Sequence, residues 1–498
     1  MKTKTTLLLF LVILVSMNSH AQDFFSKVLY NGDIDQVQAN SLSKTTDNQY
    51  VFAGYREDWH ISLDNGLVVK FDEQGNIIWS KILVSPFNST QFTDIIPTSD
   101  SGVILLGHSE SDIVLLKMNQ QGNIVWAKKS DWEIGAIYTR AICPTLQNGF
   151  AIVGIYTETP VDSPSFTFVS TFDESGNQIW TDNFELLEAN SIVQLPDSSL
   201  LVTGDASSYL MNLQIDGSVK WFNYINPDSY HAFSLQVTNE GIYSLFQIGN
   251  TSLGLQKQDF EFNQEWILQI DLESGNFFNT NLHPKMISTP DSGIIIVNQN
   301  NESGNLLKIT KDGTISWAKE LPFMVVDMET IGDSAYIIAG DGITWPVALT
   351  RTDLDGNGSD CTIDINITSQ FLSNTMVPDN ISASHQYDSF VDFTPVITAF
   401  QLTEQAGCVY DFIHENEPDG TLKILPNPTS ESFKVEIDNI NDFIQLEIRD
   451  ISGRVIYQTN DQSCLTESIN LSQLHPGIYQ VILITKQARI SGKLAIAR

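Results

Sequence analysis

Basic residues are scarce in this chain: 26 Lys and Arg stand against 60 Asp and Glu in 498 residues, a net charge of −34. Such a surface repels nucleic acid and anionic membranes, so neither is expected as a partner. Histidine is also thin. No two of the 8 His residues are spaced as metal ligands, and HExxH does not occur. There is no GxSxG elbow, no phosphate-binding P-loop and no GxGxxG after a strand. The sequence therefore offers no motif for a metalloprotease, a serine hydrolase or a nucleotide enzyme, and no metal or cofactor is expected. Acidic pairs are too common here for any one of them to mark a glycosidase.

Long apolar runs are missing beyond the N-terminus, and nothing there would cross a membrane as a helix. At the N-terminus, Lys2 and Lys4 precede the run Leu7-Leu8-Leu9-Phe10-Leu11-Val12-Ile13-Leu14-Val15, and Ser19-His20-Ala21 follows. The run is shorter than the roughly 20 residues a spanning helix needs. Small residues before position 22 suit cleavage after Ala21, so 1–21 reads as a secretion signal peptide. Cysteine is sparse too: Cys143, Cys361, Cys408 and Cys464 fit no zinc site and no CxxC. Export permits a disulfide. Cys361 and Cys408 flank one segment and are the expected pair, leaving Cys143 and Cys464 as free thiols.

What the chain does have is a repeat. Gly75-Asn76-Ile77-Ile78-Trp79 recurs as Gly122-Asn123-Ile124-Val125-Trp126 and Gly176-Asn177-Gln178-Ile179-Trp180, with weaker copies ending at Trp221, Trp266 and Trp317. Each copy follows a short apolar strand such as Leu67-Val68-Val69-Lys70-Phe71. Before that comes a turn and a strand ending in Gly, as in Asp100-Ser101-Gly102-Val103-Ile104-Leu105-Leu106-Gly107. Apolar β-formers in runs of four to six make strands, and the Asp-x-x-Gly-Asn and Asp-Ser-Gly stretches supply the positive-φ positions of tight hairpins. Four short antiparallel strands per unit describe a propeller blade. The stretch Phe25-Ser26-Lys27-Val28-Leu29 matches Trp79-Ser80-Lys81-Ile82-Leu83, while the last repeat, around Val347 to Asn357, lacks a Trp strand. The N-terminal strand is therefore expected to complete the final blade. The fold class is all-β: a seven-bladed β-propeller over 22–361, followed by a small Ig-like β-sandwich. Residues 362–413 fit no repeat and read as a β appendage or lid, and 414–421 as a linker.

From Leu422 onward the order is Leu425-Pro426-Asn427-Pro428, then Asp450-Ile451-Ser452-Gly453-Arg454-Val455, then Leu474-His475-Pro476-Gly477-Ile478-Tyr479, with Lys493 near the end. This set resembles the type A C-terminal sorting domain of type IX secretion cargo over 422–498. The resemblance implies that Pro426, Asn427, Pro428, Asp450, Gly453, Arg454, Gly477, Tyr479 and Lys493 are sorting-motif residues. It also implies that the type IX machinery and its sorting protease are partners. The signal peptide would carry the chain across the inner membrane and this tail would carry it across the outer one. The tail would then be cut off, and the cargo released or attached to surface lipopolysaccharide.

Propeller geometry places the hairpin turns on one face and the more variable loops on the other. Those loops hold Asp58, Trp59 and His60, Trp132, and Trp345, which are the candidate ligand-binding residues for an extracellular glycan, peptide or protein. The repeat residues Trp79, Trp126 and Trp180 read as inter-blade packing. The string Asp353-Leu354-Asp355-Gly356-Asn357, with Asp364 beyond it, has calcium-loop spacing. It also aligns with the repeat turn, which is the simpler account. A non-catalytic binding protein is the favoured reading. The alternatives are a propeller lyase or glycosidase acting on polysaccharide and a quinone-dependent dehydrogenase, whose cofactor-stacking Trp and calcium ligands find no place here.

Overall fold

The computed structural model describes residues 25–406 and 423–496, except 31–35, 59–62, 85–88, 110–111, 133–135, 158–164, 186, 206–207, 226–230, 250–251, 272–283, 300–302, 342–346, 359–361, 366, 373–376, 380, 382–389, 401, 426–428, 430–431, 437–442, 450–454, 461–467, 471–473, 475–476 and 486–488. The signal-peptide segment and the linker lie outside them. No helix occurs among the described residues. Seven antiparallel sheets, each built on four strands, succeed one another along residues 26–353. Blade 1 consists of Gln36–Lys44, Tyr50–Asp58, Leu63–Phe71 and Ile77–Val84. Blades 2 to 6 repeat this order over 91–130, 137–185, 188–224, 232–271 and 285–321. The first strand of each blade packs against the first strand of the next, and blade 7 returns to blade 1, so the ring closes. Blade 7 borrows its fourth strand: Ser26–Tyr30 pairs antiparallel with Val347–Asp353, Val28 opposite Ala348. The chain ends thus share one blade, which removes an edge that would invite aggregation.

The repeat turn explains the repeat sequence. In blade 1, Asp72 Oδ1 accepts from the backbone N of Gln74 (3.0 Å) and of Asn76 (2.8 Å), and Asn76 Nδ2 donates to Asp72 Oδ2 at 2.9 Å. Gly75 takes φ +72°, which a side chain disfavours. The same turn supports the neighbouring blade. Trp79 lies over Gly122 of blade 2 and donates from Nε1 to the carbonyl of Gln120 at 3.0 Å. Trp126 lies over Gly176, Trp180 over Gly217, Trp317 over Gly356, and Phe25 over Gly75. Each of these aromatics packs on the turn of the following blade, where a Cβ on the glycine would intrude.

A second device lies at the inner end of six of the blades. The first strand carries a β-bulge in blades 1 to 5 and in blade 7, for example between Ala39 and Ser41 and between Thr139 and Ala141. In blade 1 Gly54, within the second strand, faces the bulge, where a Cβ on it would sit 2.0 Å from the Gln38 carbonyl oxygen. Bulges re-aim side chains. Here they turn the inserted residues Asn40, Thr93, Arg140 and Asn190 toward the adjoining blade.

Residues 363–406 are not a lid on one face. They run once around the ring, against the direction of the blades, as a belt of fifth strands. Ile363–Asp364 pairs with blade 6, Thr368–Leu372 with blade 5, Val377–Asp379 with blade 4, Phe390–Asp392 with blade 2, Val396–Ala399 with blade 1, and Thr403–Ala406 with the borrowed strand of blade 7. The Trp strand is therefore fourth of five in these blades, not outermost. Apolar anchors fix the belt. Phe371 meets Trp266 with centroids 6.3 Å apart, and Phe390 stands edge-on to Phe172 at 4.9 Å.

The C-terminal unit has a three-stranded sheet (Lys423–Leu425, Ser432–Glu436, Ile469–Asn470) and a four-stranded sheet in the order Val455–Thr459, Phe443–Arg449, Gly477–Thr485, Arg489–Ile496. Alternating residues of both sheets, among them Phe433, Val435, Leu446, Ile448, Val481 and Leu494, form one core, as in an Ig-like sandwich. Gly477 opens the long central strand, and Tyr479 packs at the core edge opposite Leu494. Lys493 pairs with Gln480 through the backbone. Pro426, Asn427, Pro428, Asp450, Gly453 and Arg454 lie outside the described residues.

Candidate functional site

The expected ligand-binding residues fare unequally. Trp132 is not an exposed aromatic. It is 6% exposed and wedged between blades, edge-on to Phe168 at 5.3 Å, Phe390 at 5.8 Å and Tyr156 at 6.2 Å. Apolar partners from blade 3 and the belt outbid solvent for its ring. Asp58 ends the second strand of blade 1. Trp59, His60 and Trp345 lie outside the described residues. Cys361, Cys408 and Cys464 are also outside them. Cys143 is buried, and burial pushes its thiol up to about 12, so it is inert. At the calcium-like string, Asp353 holds the hairpin as Asp72 does. Lys319 Nζ sits 2.7 Å from Asn357 Oδ1 and 2.6 Å from Asp364 Oδ1. A lysine cation already serves these oxygens.

The loop face gathers a different set of residues. First strands begin and second strands end on this face. His108 follows Gly107, and Asp205 follows Gly204. A pocket of about 230 Å³ opens between blades 2 and 3, lined by Ser89, Gln91, His108, Ala136, Ile137 and Tyr138. Gln91 Nε2 donates to Asp64 Oδ2 at 2.7 Å, and His108 Nδ1 lies 3.2 Å from Thr139 Oγ1. Burial and the nearby Arg140 cation push His108 down to about 4, so it is neutral at pH 7. Tyr138 is 50% exposed and meets His108 edge-on, centroids 6.2 Å apart.

Beside this pocket lies a charged group spanning blades 3 to 5. Arg140, the bulge residue, has a buried Nε without a hydrogen-bond partner, and no carboxylate among the described residues stands within ion-pair distance. Burial pulls its guanidinium down against the opposing pull of Asp205 and Glu188. Glu188 Oε1 accepts from Ser165 Oγ at 3.2 Å. Asp205 Oδ1 accepts from Asn190 Nδ2 at 3.0 Å, and its Oδ2 lies 3.1 Å from His231 Nδ1. Burial raises Asp205, with His231 opposing.

Further along the axis, Asp327 Oδ2 accepts from Leu42 N at 3.0 Å and from Lys285 Nζ at 2.9 Å. Asp94 Oδ2 accepts from Ile142 N at 2.9 Å, and its Oδ1 from Ser41 Oγ at 2.7 Å. These side chains satisfy backbone donors that the inner strands would otherwise bury unpaired, and so help to close the ring. Burial pulls Lys285 down, but Asp327 and Asp94 outweigh it and hold the ammonium above its ordinary value.

Sequence reasoning passed over His108, Tyr138, Arg140, Glu188, Asp205 and His231. The available signal was the polar residue following a strand-ending glycine, together with an arginine in an otherwise apolar first strand.

Comparison with known proteins covers both ends of the molecule. Residues 423–497 match the family of the secretion system C-terminal sorting domain. They are a type IX sorting domain, which marks the chain for export to the extracellular space or cell surface. The propeller region is similar to virginiamycin B lyase from Staphylococcus aureus (11% identity, 66% of this chain and 100% of that one, TM-score 0.47). It is also similar to the WD40 β-propeller domain of Doa1 (10%, 66% and 96%, 0.45) and to the Dos1 propeller (8%, 66% and 95%, 0.42). No curated protein matches.

Proposed function

We propose that this chain is a non-catalytic binding protein, delivered outside the cell, whose propeller takes an extracellular glycan, peptide or protein ligand on its loop face. The arc from the His108–Tyr138 pocket through Arg140 to Asp205 supports this reading. It joins a concave opening, a half-exposed aromatic and several polar groups held by the rigid ends of strands. Asp58, at the end of the second strand of blade 1, is proposed to contribute, as are Trp59, His60 and Trp345 on the strength of the sequence alone. After export the sorting domain is removed by the sorting protease, and the cargo is released or held on the surface. Arrays of oligosaccharides and peptides probed with the chain from Gln22 to Arg498 test the binding reading. A ligand whose affinity drops at least about tenfold in Tyr138→Ala supports it, since an aromatic anchor is worth about that much. Binding indifferent to every loop-face substitution would sink it.

A second reading, an enzyme acting on polysaccharide, draws on one observation. Asp205, itself held by Asn190, stands 3.1 Å from His231, an arrangement that also orients a general base. Depolymerisation of a polysaccharide, lost in Asp205→Asn, would favour it over simple binding.

A further inference from the structure

We infer that the loop-face site takes an uncharged, hydroxyl-rich ligand, a neutral glycan, and not an anionic or cationic one. The inference rests on the binding site proposed above. Charge decides first. Arg140 is one cation facing two carboxylates, Glu188 and Asp205, while His108 is neutral at pH 7. A uronate, sulfate or phosphate would approach this excess of negative charge on a chain of net charge −34, and Coulomb repulsion opposes it. A lysine-rich peptide meets the opposite difficulty. Part of the acceptor capacity it needs is taken, on Asp205 by Asn190 and His231 and on Glu188 by Ser165. The guanidinium it would have to pass is the group left without a partner.

Hydrogen-bond type decides next. Arginine brings five donors and no acceptor, and an ionised carboxylate only accepts. A hydroxyl does both: it accepts from Arg140 and donates to the remaining lone pairs of Glu188 or Asp205. A pyranose presents several such hydroxyls at fixed angles. The alternation of amide, imidazole, guanidinium and carboxylate along Gln91, His108, Arg140 and Asp205 is complementary to that arrangement. Shape agrees. The pocket measures about 230 Å³. That is room for a sugar ring beside Tyr138, whose half-exposed face can cover the C–H side of the ring.

The test uses the chain from Gln22 to Arg498 and titration calorimetry against three probe sets: neutral hexose and pentose oligosaccharides, uronate or sulfated oligosaccharides, and lysine-rich peptides. The expected result is binding to a neutral oligosaccharide, with a Kd that changes less than about twofold when salt is raised, because no ion pair is screened. Tyr138→Ala and Arg140→Met should each weaken it at least about tenfold. Arg140 lies in an inner strand, so melting of each variant is followed in parallel. Tyr138, being half-exposed, supplies a variant that keeps its fold. An anionic or cationic ligand that binds here and is lost in the same variants would overturn the inference and leave the proposed site standing. A neutral glycan bound equally well by both variants would overturn the site as well. Absence of any neutral-glycan binding overturns the inference.

Discussion

Phe262 stands where the other repeat turns carry glycine. It holds φ +64° and sets its ring edge-on to Trp221, with centroids 4.4 Å apart. The residue inverts the usual arrangement: where the other turns offer a bare backbone to the preceding aromatic, blade 5 offers a second ring. A positive φ costs a non-glycine residue about 1 kcal/mol, and an aromatic pair returns about as much. Phe262→Gly should therefore leave the melting midpoint nearly unchanged. Gly176→Ala should not. Its Cβ would lie 3.0–3.1 Å from the Trp126 ring at φ +76°, so we expect a loss of about 1–2 kcal/mol in denaturant unfolding. This contrast marks what the chain shows before folding. The Gly-Asn turns and Trp strands are legible because they repeat, and the positions of Trp79, Trp126 and Trp180 between blades follow from them. Arg140 and Asp205 are not legible in the same way. A bulge adds one residue and shifts which side chains face the axis, so simple alternation assigns the inner strands wrongly beyond it.

At the scale of elements, the belt is the part whose path sequence reading did not give: the segment reads as a β appendage or lid, without its partners. Its strands are short, exposed and free of the repeat, and each pairs with a different blade, so no local pattern reveals its partners. Its anchors are legible only in hindsight, as single aromatics such as Phe371, Phe390 and Phe400 spaced along a polar stretch. Deleting residues 362–406 should uncover the fourth strands of six blades, lower the melting temperature and produce soluble aggregates detectable by light scattering. Phe390→Ala, which removes a half-buried ring from Trp132 and Phe172, should cost about 2 kcal/mol without aggregation. The junction of blades 7 and 1 makes a different prediction. Asp341 accepts from Ala39 N at 2.9 Å and Glu329 from Lys44 N at 3.2 Å. Burial raises both carboxyls to about 7, against the opposing backbone hydrogen bonds. In the unfolded chain they titrate near 4. Between these values the folded state binds more protons, so stability is greatest below about pH 4 for these two groups and falls as pH rises through 7. The expected change is on the order of 3–4 kcal/mol per group. Asp341→Asn with Glu329→Gln should flatten the pH dependence of the melting temperature between pH 5 and 8 measured by calorimetry. An unchanged slope would assign the dependence to other groups.

The whole molecule is organised by where its chain ends meet. Ser26–Tyr30 lies between Val347–Asp353 on one side and Thr403–Ala406 on the other, so ring closure and belt closure end on the same strand. A propeller built this way needs everything from 26 to 406. It needs nothing from the sorting domain, whose core is formed within 424–496 by its own two sheets. The sorting domain therefore follows a cargo that closes its own ring and belt. A chain ending before Leu422, with its proposed signal peptide intact, should cross the inner membrane and accumulate in the periplasm. The purified propeller should melt at the temperature of the propeller in the full chain. Fractionation with immunodetection reads the first outcome and calorimetry the second. Normal appearance in the medium would remove the need for residues 423–497 in export. A collapsed melting temperature would mean that the tail also supports the ring, and that cutting it off outside the cell would leave an unstable product.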